Sequence, residues 1–374
     1  MRNEPMLQEF IELVSIDAIS GQEKAVADAI RPKLEALGFT VTMDRAAETF
    51  GGDCGNLIAV REGELDGSLL LSSHMDRMPN GFGIKPVERD GVLYSDGTTI
   101  LAADDLSGVC CILDGLRTVI ASGKPLPRLE VLFTVQEETV FGSKAADYSL
   151  IQSKLGYIFD SVGHAGRFVV GAPGGYTLNV DIVGKSAHAG NSPEKGINAA
   201  KVMCDIVSSL PQGRIDPEST ANYPILHTDT TARNAVCDSA HIKGEARSRN
   251  PKKLTDYVAL FFKTCEEAAA ASGAQVNYEA IEDYPAFLVE EDHPLLAMAR
   301  SACSQLGLEY LAEVGGGAMD ANIFTGHGIT AVGVASGCYK NHSCEEHLVL
   351  EDFFRSGQLC ACLIETYAGT CAAK

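Results

Sequence analysis

The stretch RLEVLFTVQEETVFGSKAADY, residues 128–148, sets the reading of the whole chain. Its apolar run (Val131, Leu132, Phe133, Val135) has the character of a strand buried on both faces, and it stops at two adjacent carboxylates, Glu137 and Glu138. Neighbouring acids repel each other, and burying both in ionised form costs stability. On a continuing strand their side chains would also point to opposite faces. The strand is therefore expected to end here, with TVFGSKAADY as a turn leading into a helix. A cation close by would offset the repulsion.

Working outward, other apolar runs behave in the same way. FTVTMD, NLIAVRE, GSLLLSSHMD, YIFDS and GRFVVGAP read as strands, and residues 5–18, 21–37 and 104–122 as helices, the second stopping at Gly38. Strands alternating with helices predict an α/β layer with a central mixed sheet flanked by helices. The pattern changes near APGGY at 172–176. From there come the strands YTLNVDIVGKSAH, SAHIKGEARS and AQVNYEAIEDYPA, interleaved with helices over 197–210 and 251–272, which is the ferredoxin-like order of a compact α+β unit. After residue 293 the α/β character returns with a helix over 294–306 and the strand TAVGVAS. The length of 374 residues also favours two domains over one. The expectation is a discontinuous α/β domain, 1–173 and 291–374, with an α+β domain inserted at 174–290.

Composition removes several functions. A net charge of −20 with no basic patch argues against nucleic acid, since nothing stands ready to neutralise phosphates. Neither G-x-G-x-x-G nor G-x-x-x-x-G-K-[ST] occurs, which weakens a nucleotide-binding reading. No window approaches the roughly 20 apolar residues of a membrane span, and MRNEPMLQEFIELVSI has acids where a secretory signal needs an apolar core. None of the twelve cysteines forms a C-x-x-C pair, so a zinc ribbon or thioredoxin-like motif is not expected. Free thiols point to a cytoplasmic protein.

The residues that could carry chemistry each have a plain structural alternative. LLLSSHMDRMP puts His74 and Asp76 two apart at a strand end, so they share a face; the carboxylate could orient the imidazole as a metal ligand, or His74 could be an ordinary strand-end histidine. In GTTILAADDLSG, Asp104 and Asp105 could face a cation or simply cap the helix that follows. Asp160 in GYIFDSVG is a ligand or a turn residue. His342 and His347 in GCYKNHSCEEHLVLEDF stand five apart, not at the i, i+4 spacing of a helical zinc pair, so at most one of them is expected to bind metal. The joint placement is what matters. His74, Asp104, Glu137, Glu138 and Asp160 all fall at or just past the ends of apolar strands, where open α/β sheets collect their ligands. Two imidazoles and several carboxylates suit two divalent metal ions.

With these motifs the sequence resembles, in order and over nearly its whole length, the co-catalytic dizinc peptidase/deacylase family that includes peptidase T, carboxypeptidase G and acetylornithine deacetylase. SDGTTILAADDLSG, GKSAHAG, IKGEARS and GGGAMDANIF bring it nearest the peptidase T-like branch. The resemblance implies a zinc-peptidase-type catalytic domain with an inserted dimerisation or lid domain. It implies His74 and Asp160 on one metal, Glu138 and His342 on the other, and Asp104 bridging. Asp76 would orient His74, and Glu137 would be the general base. His188 of GKSAHAG would stabilise the oxyanion, reaching the partner's active site in dimeric members. Asn234, Arg247 and the Gly315, Gly316, Gly317 loop would hold the substrate. The metals would be zinc, with cobalt or manganese tolerated by the same ligands. The implied activity is amide-bond cleavage in short peptides, as a tripeptide aminopeptidase and homodimer. The alternative is an N-acyl amino acid deacylase or carboxypeptidase using the same metal pair. The chain departs from the family pattern at Leu106, where many members have lysine, in the extra residue of GGGAMDANIF, and at His347, where many relatives have Glu; none of these removes a ligand.

Overall fold

The structure is a computed structural model that describes residues 2–372. The chain divides into two compact units: Met1–Gly171, Leu288–Gly315 and Met319–Lys374 form the larger, and Ala172–Phe287 with Gly316–Ala318 the smaller.

The larger unit is built on a mixed sheet. Its strands run in the order Thr40–Met43, Leu57–Arg61, Pro127–Thr134, Leu65–His74, Leu155–Ser161, Thr330–Ala335, Arg167–Ala172 and Phe287–Leu288, with Leu311–Val314 also paired to Arg167–Ala172. Leu65–His74 runs parallel to both Pro127–Thr134 and Leu155–Ser161, so these three strands end on the same side. Leu69, Leu70 and Leu71 are fully buried, as are Val131, Leu132 and Phe133, which explains the unbroken apolar runs. Burying each such side chain stabilises the fold by about 1.5–3 kcal/mol. Glu130 interrupts the second run and is also buried, but it accepts hydrogen bonds from Arg128 Nε at 2.6 Å and from the backbone amides of Gln152 and Ser153, both at 2.9 Å.

The helix Ala103–Ala121 packs against this sheet and against the long C-terminal helix Leu350–Ala372. The contact is close enough to require glycine. A Cβ on Gly108 would lie 2.0 Å from the Phe159 carbonyl oxygen, and one on Gly115 would lie 2.6 Å from Cys360 Sγ. The C-terminal helix is not among the elements expected from the sequence. Its apolar face carries the small residues Ser356 and Gly357 at buried positions, which blurs its helical period. A separate four-stranded sheet, in the order Cys338–Tyr339, His347–Val349, Val92–Tyr94 and Val87–Arg89, frames the loop that carries His342.

The smaller unit is a five-stranded antiparallel sheet in the order Gly213–Asp216, Ser219–Thr228, Ser239–Ser248, Gly174–Val183, Gln275–Tyr284. The helices Ala199–Ser209 and Pro251–Ser272 pack on it around Leu178, Val180, Ile182 and Phe261. Leaving out the short Gly213–Asp216 strand, this is the ferredoxin-like β-α-β-β-α-β order. The Asn250 side chain caps Pro251–Ser272, and Gly273 ends it at φ +70°. Ser219–Thr228 supplies the fourth strand that the ferredoxin-like order requires, and it contains Pro224. The proline sits at the register shift between Asn222 and Ile225, where a ladder hydrogen bond is dispensable. Among the described residues no helix is long and apolar enough to cross a membrane.

Candidate metal centre

Three parallel strands of the larger unit deliver four groups to one side of the sheet. His74 is the last residue of its strand, Asp160 is next to last in its own, and the Pro127–Thr134 strand leads into Glu137 and Glu138. The short helical turn Glu137–Val140 lets both glutamates leave the strand geometry that would have split them. Several non-glycine residues beside these segments hold left-handed backbone, among them Ala102 at φ +56°, Gln136 at φ +51°, Phe141 at φ +56° and His342 at φ +63°. Such conformations persist only where surrounding structure holds them, and they gather at functional sites.

Asp104 stands at the middle. Its Oδ1 lies 3.0 Å from His74 Nε2, and its Oδ2 lies 3.1 Å from His342 Nε2. Asp160 Oδ1 is 4.0 Å from the same nitrogen of His74, and Glu138 Oε1 is 2.9 Å from that of His342. The ligand atoms of His74, Asp104 and Glu138 all lie within 4.8 Å of one another, as do those of His74, Glu137 and Asp160. Two imidazoles and four carboxylates so close, with His74, Asp104 and Glu137 buried, make a donor set that fits two divalent cations. Asn341 joins them, donating from Nδ2 to Asp104 Oδ2 at 2.7 Å.

Burial and close charges shift the proton affinities of these groups in opposite directions. Burial pushes Asp160 up to about 8, against the pull of His74. Burial, reinforced by Asp160, drives Glu137 well above the usual carboxylate range. Burial would raise Asp104 too, but hydrogen bonds from His342 and His74 outweigh it and hold that carboxyl below its ordinary value. Burial opposes a charge on His74, yet Asp104 and Asp76 raise it well above its usual range. The half-buried His342 is raised to about 10 by Asp104 and then Glu138.

A buried shell positions these groups. Asp76 Oδ1 is 3.2 Å from His74 Nδ1 and accepts the Glu137 amide at 2.9 Å, and Oδ2 accepts the Glu138 amide at 3.3 Å and the Ser20 hydroxyl at 2.5 Å. Asp105 does not cap the helix. Its Oδ2 accepts the Ser73 hydroxyl at 2.5 Å and the His74 amide at 3.3 Å. The Asp104–Asp105 peptide is cis. Sequence reasoning missed two acids. Glu346 accepts the backbone amides of Leu101 and Ala102 on Oε2, at 2.9 and 3.1 Å, and that of Asp104 on Oε1 at 3.0 Å. Asp320 accepts the Thr134 and Ser143 hydroxyls at 2.7 and 2.5 Å. The only available signal was their presence inside motifs, NHSCEEH and GGGAMDANIF, that were read for other residues. His347 takes no part in the cluster: its ring stacks on Tyr339, and its Nδ1 lies 2.9 Å from the Glu345 carbonyl oxygen.

The remaining expected residues lie elsewhere in the chain. In the smaller unit, His188 is exposed and its Nδ1 accepts the amides of Gly190 and Asn191 at 3.2 and 3.1 Å, which leaves Nε2 to carry the ring proton. The Asn234 carbonyl accepts the Ala189 amide at 2.9 Å, and Arg247 pairs with Glu245 at 2.8 Å. Gly315 donates its amide to the Gly171 carbonyl at 2.8 Å, and Gly316 and Gly317 belong to the smaller unit.

Comparison with known proteins gives a consistent picture. Residues 170–272 match the family model of a peptidase dimerisation domain. The uncharacterized protein YqjE of Bacillus subtilis is 35% identical over 97% of this chain and 98% of its own length. The crystal structure of aminopeptidase PepT from Bacillus cereus superposes with a TM-score of 0.91 at 34% identity, covering 98% of this chain and 99% of that one. That of a tripeptidase from Staphylococcus aureus gives 0.92 at 30% identity, covering 99% and 100%. The chain therefore belongs to the M20 family of metallopeptidases, and within it is peptidase T-like.

Proposed function

We propose that this enzyme is an aminopeptidase that removes the N-terminal residue of short peptides, tripeptides above all, with a pair of divalent metal ions. Likeness to the solved aminopeptidase and tripeptidase across almost the full chain supports the substrate class. The observation that carries the reading is the division of Asp104 between His74 and His342, one oxygen to each imidazole, with Asp160 beside the first and Glu138 near the second. We assign His74 and Asp160 to one ion, Glu138 and His342 to the other, and Asp104 to both. Nitrogen and carboxylate donors favour zinc, and cobalt or manganese would also bind.

When bound, the two ions supply Lewis acidity, polarising the scissile carbonyl and making a nearby water easier to deprotonate. Glu137 takes that water's proton on its carboxylate and returns it to the leaving amine. Burial raises its proton affinity, which favours return of the proton once it is taken. Asp76 holds His74 by Nδ1 and the Glu137 and Glu138 amides by its two oxygens, so one buried side chain orients a ligand and the base together. His188 donates from Nε2 to the developing oxyanion, and Asn234, Arg247 and the Gly315–Gly317 loop receive the substrate backbone and carboxylate. The match to a peptidase dimerisation domain supports a homodimer through the smaller unit. Twelve free cysteines support a cytoplasmic setting.

The test is a screen, after metal reconstitution, of free-amino tripeptides, N-blocked tripeptides and N-acyl amino acids. Cleavage confined to free-amino tripeptides is the expected result. A preference for blocked or acylated substrates would replace this reading with a carboxypeptidase or deacylase.

A further inference from the structure

The sheet of the smaller unit carries a second set of metal-ligating side chains. His227, His241 and Asp181 stand directly opposite one another on three adjacent strands. They lie on the face turned away from the core residues Val180 and Ile182. The His227 and His241 rings stack with centroids 4.6 Å apart. Asp229, just past the end of the His227 strand, brings Oδ2 to 2.8 Å from His241 Nε2. The ligand atoms of His227, Asp229 and His241 all lie within 4.8 Å of one another. The Ser239 hydroxyl donates to the same Asp229 oxygen at 2.7 Å and lies 3.2 Å from His241 Nε2.

We propose that His227, Asp229 and His241 form a further divalent-cation site, for zinc or an ion of similar preference, which fastens the end of the Ser219–Thr228 strand to its neighbour. Two imidazoles and one carboxylate are a three-ligand set that leaves a fourth position open. The decisive feature is Asp181. Its Oδ1 lies 2.6 Å from His241 Nδ1, so the carboxylate fixes the ring and presents Nε2 towards Asp229. An outer carboxylate on the far nitrogen of a ligating histidine is the usual support of such ligands. Strand pairing supplies the rigidity, since three of the four residues sit on paired strands rather than on loops.

The experiment strips the full-length protein with a chelator, dialyses it against micromolar zinc and measures zinc per chain by mass spectrometry. His241→Ala and His227→Gln are each expected to hold one zinc fewer than wild type, with tripeptide hydrolysis unchanged. The double variant His74→Ala/His342→Ala is expected to keep that zinc. Asp181→Asn should weaken it by about 10–100-fold. Equal zinc content in wild type and both single histidine variants would overturn the proposal. So would an unaltered affinity in Asp181→Asn. Circular dichroism on each variant separates loss of the ion from loss of the fold.

Discussion

Replacing Glu346 with glutamine probes how the fold holds the bridging carboxylate. Glu346 is buried, and its two oxygens accept three consecutive-segment amides, Leu101, Ala102 and Asp104. It thereby fixes the left-handed turn at Ala102 and the direction in which Asp104 leaves it. Glutamine keeps one acceptor oxygen and turns an NH2 group towards at least one of these amides. One or two charge-assisted hydrogen bonds are lost, each worth about 1.5–3 kcal/mol, and a buried donor is left facing a donor. The expected net loss is about 2–4 kcal/mol of folding stability. Displacement of Asp104 adds a second effect, a fall in metal affinity of about 10–100-fold, typical of lost outer-shell support. Burial pushes Glu346 up to about 7, so the assay belongs at pH 8, where the carboxylate is ionised. Urea unfolding of the chelator-treated protein reads the first effect, and metal titration of the folded protein reads the second. A variant within about 0.5 kcal/mol of wild type, a change typical of a featureless surface site, and with unchanged metal affinity would refute the reasoning.

Two further substitutions test separate parts of the account. Gly108→Ala places a Cβ 2.0 Å from the Phe159 carbonyl oxygen, one residue before Asp160, so the helix and strand must part; urea unfolding should show a loss of about 1–3 kcal/mol, whereas a wild-type midpoint would mean that the close approach is not needed. Glu23 is buried and raised from 4.5 to about 7, mainly by burial. Its unfolded form gives up the proton first as pH rises, so the native state holds more protons between those two values and the unfolding free energy falls across that window by about 3 kcal/mol. Glu23→Gln should remove this fall, and parallel stability profiles for the two proteins from pH 5 to 8 would contradict it.

What could be read from the sequence follows from where the information lies. GSLLLSSHMD, LEVLFTVQ and YIFDS are continuous apolar runs because their strands are buried on both faces, and His74, Glu137, Glu138 and Asp160 are visible because polarity changes abruptly where those strands stop. Asn341 and Glu346 belong to a loop with no period, and their partner Asp104 is more than two hundred residues away, so nothing local marks them. The roles of Asp105 and Asp320 are hidden for a related reason: an acid near a helix start looks like a cap, and only tertiary contact with Ser73 or Thr134 distinguishes it. The buried Ser356 and Gly357 concealed a helix, because they are tolerated by close packing that composition does not display.

The central claim is that the paired glutamates at the end of the Pro127–Thr134 strand divide their labour, Glu137 moving the proton and Glu138 holding metal. Tripeptide turnover and metal content, measured together on Glu137→Gln and Glu138→Gln, test it most directly. The account predicts that Glu137→Gln keeps its metal while turnover falls by about 10²–10⁴-fold, and that Glu138→Gln loses metal as well as turnover. Turnover near the wild-type value in Glu137→Gln, or full metal content in Glu138→Gln, would contradict it.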